Sequence, residues 1–254
     1  MALRSVRTGI LCAIVAAIMG WSCTVSADAA GTSAQREVES ILRLKANPAR
    51  GQEIFTYCAA CHEENVQGLP AGWVPVIAGQ HPRYLVKQLL DYRHSVRWDP
   101  RMQPVAQGHV LRGPQDIADV VAFVAATEIQ GHDTAAPPPP VATDAQHLYR
   151  ISCSHCHGQS GEGKNARGVP RLAGQDFAYL LRQMHDVVDG RRANMRATHY
   201  RALYDLDVQA LMRLASYLSH LSGAGADVAA SDLSAALGSD PRWRTRGVPA
   251  GGGD

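Results

Sequence analysis

The sequence predicts an all-α protein built from two copies of one small helical domain joined by a proline-rich linker. Three observations predict it. First, Cys58-Ala59-Ala60-Cys61-His62 recurs 95 residues later as Cys153-Ser154-His155-Cys156-His157. The same offset carries Pro75 onto Pro170 and Ala78-Gly79-Gln80 onto Ala173-Gly174-Gln175. It also carries Tyr84, Leu85, Gln88 and Asp91 onto Tyr179, Leu180, Gln183 and Asp186. A match sustained over that distance marks a duplicated domain. Second, apolar residues keep helical spacing in both copies, and no alternating strand pattern of useful length appears. Third, Pro137 to Pro140 fall between the copies, where four prolines favour a stiff, extended spacer.

The elements follow in order. Arg4 and Arg7, an apolar stretch from Gly9 to Gly20 and the small-x-small site Val25-Ser26-Ala27 read as an export signal over 1–27. An uncleaved membrane anchor is the alternative, but the strongly apolar part falls short of the ~20 residues a spanning helix needs. A lipoprotein reading through Cys23 is weaker, because Gly20-Trp21-Ser22 is a poor lipobox. Domain 1 is placed at 47–130. Asn47-Pro48 caps its first helix, which runs through Ile54, Phe55 and Tyr57 into the first cysteine motif. A second helix starts at His81-Pro82, and a last one carries Ile117, Val120, Val121 and Val124. The linker spans 131–143 and domain 2 spans 144–222. Its second helix starts at Asp176, and its last carries Val208, Leu211, Leu214 and Leu218, paired in that order with the four of copy one. The Gly-, Ala- and Ser-rich segment 223–254 reads as a disordered tail, with a short helix near Leu233–Leu237.

Charge excludes one class of function. The chain has 25 Lys+Arg against 23 Asp+Glu. Loss of Arg4 and Arg7 with the signal leaves the two balanced, with none of the basic excess that nucleic-acid binding uses. Loss of Cys12 and Cys23 leaves four cysteines, all in the repeated motif.

Two thiols spaced by two residues on a helical turn reach one macrocycle and add to the two haem vinyl groups as thioethers. The adjacent histidine then supplies an axial nitrogen to the iron. Cys58, Cys61 and His62, with Cys153, Cys156 and His157, therefore predict two covalently bound haem c groups. A zinc site or a thioredoxin-like pair leaves the two adjacent histidines unexplained.

The sixth iron ligand is assigned from the repeat. Met184 and Met212 lie at helical positions that copy one fills with apolar residues, so they read as core. Met102 and Met195 lie in the loop before the last helix of their own copies, and thioether ligation raises a haem potential. Bis-histidine ligation through His94, His109, His185 or His199 is the competing reading. None of the four has a counterpart in the other copy, and a solvated surface histidine is the reading of each.

These residues resemble a known family. Gly51-x3-Phe55-x2-Cys58-x2-Cys61-His62, Pro75-x2-Ala78-Gly79-Gln80 and Tyr84-Leu85-x2-Gln88-Leu89, with Gly168-Val169-Pro170-Arg171-Leu172-Ala173-Gly174-Gln175 in the second copy, resemble class I cytochromes c of the cytochrome c4 type. The resemblance implies that the carbonyls of Pro75 and Pro170 orient the axial histidines. It also implies aromatic contacts Phe55–Phe123 and Tyr149–Tyr217 between first and last helices, and Tyr84, Gln88, Tyr179 and Gln183 near the haem edges or propionates.

The resemblance further implies a periplasmic electron carrier between a quinol-oxidising complex and a terminal oxidase or reductase. It implies no catalytic residues, and it is compatible with loose association with a membrane. Two alternatives remain in view. One is a dihaem enzyme of peroxidase or thiosulfate-oxidising type with one open haem. The other is the haem subunit of a larger dehydrogenase. Two departures from the pattern carry expectations. Glu63-Glu64-Asn65-Val66 replaces the Gly158-Gln159-Ser160-Gly161 of copy two, and its carboxylates would lower the potential of the first haem. The linker, longer than the family's usual connection, weighs against close haem–haem docking. Arginines around the methionine loops (Arg93, Arg97, Arg101, Arg191, Arg192, Arg196 and Arg201) are candidates for partner docking or propionate pairing.

Overall fold

A computed structural model describes residues 28–69, 74–130 and 144–221. The signal, linker and tail assignments lie outside these residues. Secondary structure among them is helical, apart from one isolated bridge between Lys164 and Val169. The chain divides into a unit of residues 1–37 and a second unit from Val38 onward that holds both haem motifs.

Helix α1 spans Asp28–Leu42, a helix the sequence pattern left unassigned. Its Val38 and Ile41 are buried in the domain 1 core. Helix α2 spans Pro48–His62, with Pro48 at its start and the Asn47 side chain accepting from Arg50 N–H at 3.2 Å. That cap uses the donor that an N-terminus leaves free. Helix α3 spans Pro82–Arg93. A short turn α4, Met102–Pro104, runs into a π-turn over Val105–His109. Helix α5 covers Pro114–Ala126.

Helices α2 and α5 cross in close contact. A Cβ on Gly51 would lie 2.0 Å from the Asp119 carbonyl oxygen, so only glycine lets the backbones approach this far. Asp119 then accepts from Asn47 N–H, Gln115 and Arg50, tying the start of α2 to α5. Phe55 meets Phe123 one turn on, with ring centroids 5.4 Å apart and planes at 52°. Such a pair contributes about 0.5–1.5 kcal/mol beyond its buried area.

Domain 2 repeats the plan. Helix α6 spans Asp144–Ser152, α7 Ser154–His157, α8 Phe177–Val188, α9 Ala197–Leu203 and α10 Val208–Ser219. Asp176 caps α8 by accepting from Ala178 and Tyr179 N–H. Tyr149 meets Tyr217 at 5.6 Å and the same 52°. Ala145 stands at the place of Gly51, four residues before the aromatic of its helix.

The expected pairing of the last helices is corrected by one turn at its start. Val208 is 45% exposed, whereas Ile117 is fully buried. The buried residues of α10 that answer Ile117, Val120, Val121 and Val124 are Leu211, Leu214, Ala215 and Leu218. Each domain has its own apolar cluster, one around Phe55, Val86 and Ile117, the other around Tyr149, Leu181 and Leu214.

Candidate functional site

The first cysteine motif closes α2, whereas the second follows α6, with Cys153 at the break and Ser154–His157 in the short α7. His62 and His157 are buried there, and their Nδ1 atoms lie 3.3 and 3.2 Å from the carbonyl oxygens of Pro75 and Pro170. A neutral imidazole donates its Nδ1–H to such a carbonyl. That contact fixes the tautomer and leaves Nε2 as the metal-binding atom. Burial lowers the pKa of both rings, that of His157 to about 4, so the ligating form is the one held. Cys58, Cys61, Cys153 and Cys156 form no disulfide. Burial, with the neighbouring thiol adding, raises Cys58 and Cys153 to about 11.

The chain turns sharply after each motif. The residue after the histidine has φ +59° at Glu63 and +84° at Gly158, and three residues on φ is +66° at Val66 and +71° at Gly161. Carbonyls at this third position accept the same pair of N–H groups: Ile77 and Ala78 on Val66, Leu172 and Ala173 on Gly161. Among the described residues, the start of this loop and its return to the proline therefore share one hydrogen-bond pattern in both copies. Copy two uses glycine at these two left-handed positions and copy one does not, while a third, Gly68 and Gly163, is glycine in both.

Met102 and Met195 are both partly buried. Asp99 anchors the first loop by accepting from Arg101 N–H at 2.9 Å and Met102 N–H at 3.3 Å. Arg101 lies close enough to His62 to depress its pKa further, after the larger effect of burial. Met195 packs against the domain 2 core. Met184 is buried in that core.

Of the four histidines read as surface residues, His94 and His109 are exposed, but His185 is partly buried and His199 lies inside the site. The His199 ring stands 5.9 Å from that of His157, centroid to centroid, with planes at 78°. Its Nδ1 is buried, with the Arg196 backbone beside the ring. Burial, then Arg192 and Arg196, lower its pKa. Its position four residues after Met195 was the signal that could have found it.

The two domains are hydrogen-bonded to each other in a near-twofold arrangement. Gln175 donates to the Val76 carbonyl and accepts from Val76 N–H, both at 2.9 Å. Gln80 donates to the Arg171 carbonyl at 3.0 Å and accepts from Arg171 N–H at 2.8 Å. The two glutamines, and the two residues they hold, are related by the 95-residue offset. Arg97 donates to Tyr179 Oη at 3.1 Å, and its counterpart Arg192 donates to Tyr84 Oη at 2.8 Å.

Arg97 is buried, and its other hydrogen bonds go to Gln88 and Gln183, both at 2.7 Å. The guanidinium also lies 4.8 Å from the centre of the Tyr92 ring. All these partners are neutral, and a buried cation calls for a counter-anion. Haem propionates supply such a charge. The buried cation, the unpaired thiols and the pinned imidazoles all fit a haem in each domain.

Most of the arginines expected around the methionine loops are engaged within the chain. Arg93 donates to the carbonyls of Ala106 and Leu111, Arg101 pairs with Asp99, and Arg191 pairs with Asp186 and Asp189. Arg196 and Arg201 are exposed.

Comparison with known proteins agrees with this construction. Residues 48–128 match the family model described as "Cytochrome c", and residues 140–218 match "Cytochrome C oxidase, cbb3-type, subunit III". The chain is 32% identical over 179 residues to cytochrome c4 of Thiocapsa roseopersicina, covering 65% of this chain and 87% of the relative. It is 30% identical over 189 residues to the thiosulfate dehydrogenase electron acceptor of Stutzerimonas stutzeri, covering 67% and 87%. The crystal structure of reduced recombinant cytochrome c4 from Pseudomonas stutzeri superposes with a TM-score of 0.58 at 25% identity, covering 69% of this chain and 99% of that one. With two Cys-x-x-Cys-His motifs, their histidines buried, on paired helical domains, the chain belongs to the cytochrome c4 family, dihaem electron-transfer proteins carrying two covalently bound haem c groups.

Proposed function

We propose that this protein is a periplasmic carrier that passes single electrons from a quinol-oxidising complex to a terminal oxidase or reductase. The observation that carries the reading is the near-twofold face shared by the two domains, with buried Arg97 at its centre. Bound haem supplies one-electron exchange between ferric and ferrous iron. The chain supplies attachment, orientation and charge. Cys58 and Cys61, and Cys153 and Cys156, hold the two groups as thioethers. The Pro75 and Pro170 carbonyls hold the His62 and His157 rings with Nε2 outward. Met102 offers its thioether from the loop that Asp99 anchors, and Met195 is the corresponding candidate in domain 2.

The buried guanidinium of Arg97 would stabilise an anionic haem propionate brought beside it. Among the described residues no helix is long and apolar enough to cross a membrane. Partner docking is transient, with the exposed Arg196 and Arg201 available to guide it.

The test is a redox titration of the purified protein combined with cyanide binding. Two low-spin haems that exchange electrons reversibly and resist cyanide support the carrier. A high-spin haem that takes up cyanide readily refutes it and favours an enzyme. The thiosulfate dehydrogenase electron acceptor among the relatives supports a second reading, in which the electron donor is a thiosulfate-oxidising enzyme. Rapid reduction by such an enzyme with thiosulfate, and none by a quinol-oxidising complex, selects it.

A further inference from the structure

The two domains differ at one place that bears directly on iron. Four residues after Met102 stands Ala106, a fully buried methyl group. Four residues after Met195 stands His199, whose ring is 5.9 Å from that of His157. Two imidazoles sharing one metal through bonds of about 2.0–2.1 Å place their ring centres about 6 Å apart. The two ring planes are also nearly perpendicular, at 78°, so the imidazoles are not stacked. Stacked rings would leave no room for an atom between their nitrogens.

The surroundings point the same way. His199 is partly buried on the short helix α9, within the site that His157 faces. Met195 meanwhile packs against the domain 2 core.

We propose that His199, through an imidazole nitrogen, is the axial ligand opposite His157 in domain 2, and that Met195 is a packing residue. The inference rests on the two-haem reading above and changes one ligand of it. Domain 1 keeps His62 and Met102. The two haems then differ in kind. Methionine ligation raises a haem potential relative to a second histidine, so the domain 2 haem has the lower potential. The carboxylates of Glu63 and Glu64 act in the opposite sense. Glu64 is exposed and Glu63 partly so, and charges in water are screened, so ligand identity decides the order. Electrons entering at domain 2 run downhill to domain 1.

The test uses the purified holoprotein. Haem content is measured first: a chain with fewer than two thioether-linked haems overturns the dihaem reading and this inference together. With two haems present, near-infrared magnetic circular dichroism of the ferric protein counts Met–iron bonds. One Met–iron band and one bis-histidine band of equal weight are expected. Met102→Leu abolishes the first, and Met195→Leu leaves both unchanged. His199→Leu removes the bis-histidine band and leaves the Met102 band at its original intensity. Two Met–iron bands in the unaltered protein, or loss of a Met–iron band in Met195→Leu, overturns the assignment of His199 and leaves the dihaem carrier standing.

Discussion

Glu63→Gly raises the stability of domain 1, although it replaces a side chain with none. Glu63 sits at φ +59°, ψ +157°, a region essentially reserved for glycine, and a residue with a Cβ held there costs about 1–3 kcal/mol. The equivalent residue of domain 2, Gly158, adopts φ +84°, ψ +165° without that cost. Glycine also frees the unfolded chain, which takes back about 0.4–1 kcal/mol. Strain relief wins, with a net gain of about 1 kcal/mol. For a domain of this size that shifts the unfolding midpoint upward by about 4–8 °C.

Thermal unfolding of the holoprotein, followed by far-ultraviolet circular dichroism and the haem band, reads the shift. Glu63→Ala is the control, because it removes the same carboxylate and keeps the strain. Equal midpoints for the glycine and alanine variants would show that charge, not backbone conformation, governs this position. Val66 behaves in the opposite way. Its φ is +66°, but its side chain is fully buried. Val66→Gly relieves the same strain, loses about 1.5–3 kcal/mol of burial and leaves a cavity, so it destabilises.

Gln175→Ala orphans the N–H and carbonyl of Val76 in a buried setting, at about 1–3 kcal/mol for each group. Gln80→Ala exposes less-buried groups of Arg171 to water. Small-angle scattering and interdomain electron-exchange rates therefore show the larger loosening for Gln175→Ala, and the reverse order would contradict the interface described. Gly51→Ala drives a Cβ into the Asp119 carbonyl; the helix propensity gained, about 1 kcal/mol, does not offset separation of α2 from α5, and domain 1 melts lower in calorimetry. Acidification frees the Met102 loop. Burial alone would raise the Asp99 pKa, but hydrogen bonds from Arg101 and Met102 outweigh it and bring it to about 2. Between about pH 4 and pH 2 the unfolded carboxyl binds more protons than the folded one, so this stabilisation is complete above that window and lost as pH falls through it. Loss of the Met–iron band across that window, absent in Asp99→Asn, tests it.

The duplicated motif, the helical spacing and the paired cysteines needed no coordinates, because covalent chemistry and helical period are local properties of the chain. The 95-residue offset alone located both haem sites, and the caps at Asn47 and Asp176 were legible for the same reason. Helix α1 was not legible as part of domain 1, since Val38 and Ile41 acquire meaning only from the core they enter. Nor was docking of the domains. Gln80 and Gln175 are conspicuous in the repeat, but each is bonded to the backbone of the other copy, a relation no linear spacing encodes. Arg97 and Arg192, candidates for partner docking or propionate pairing, turned instead to tyrosines of the other domain for the same reason. His199 shows the difference most sharply. Its lack of a counterpart in copy one marked it as a surface residue, whereas packing of α9 carries its ring to within 5.9 Å of His157. Ligand type is written in the sequence, but which candidate reaches the iron depends on distances that only the folded chain sets.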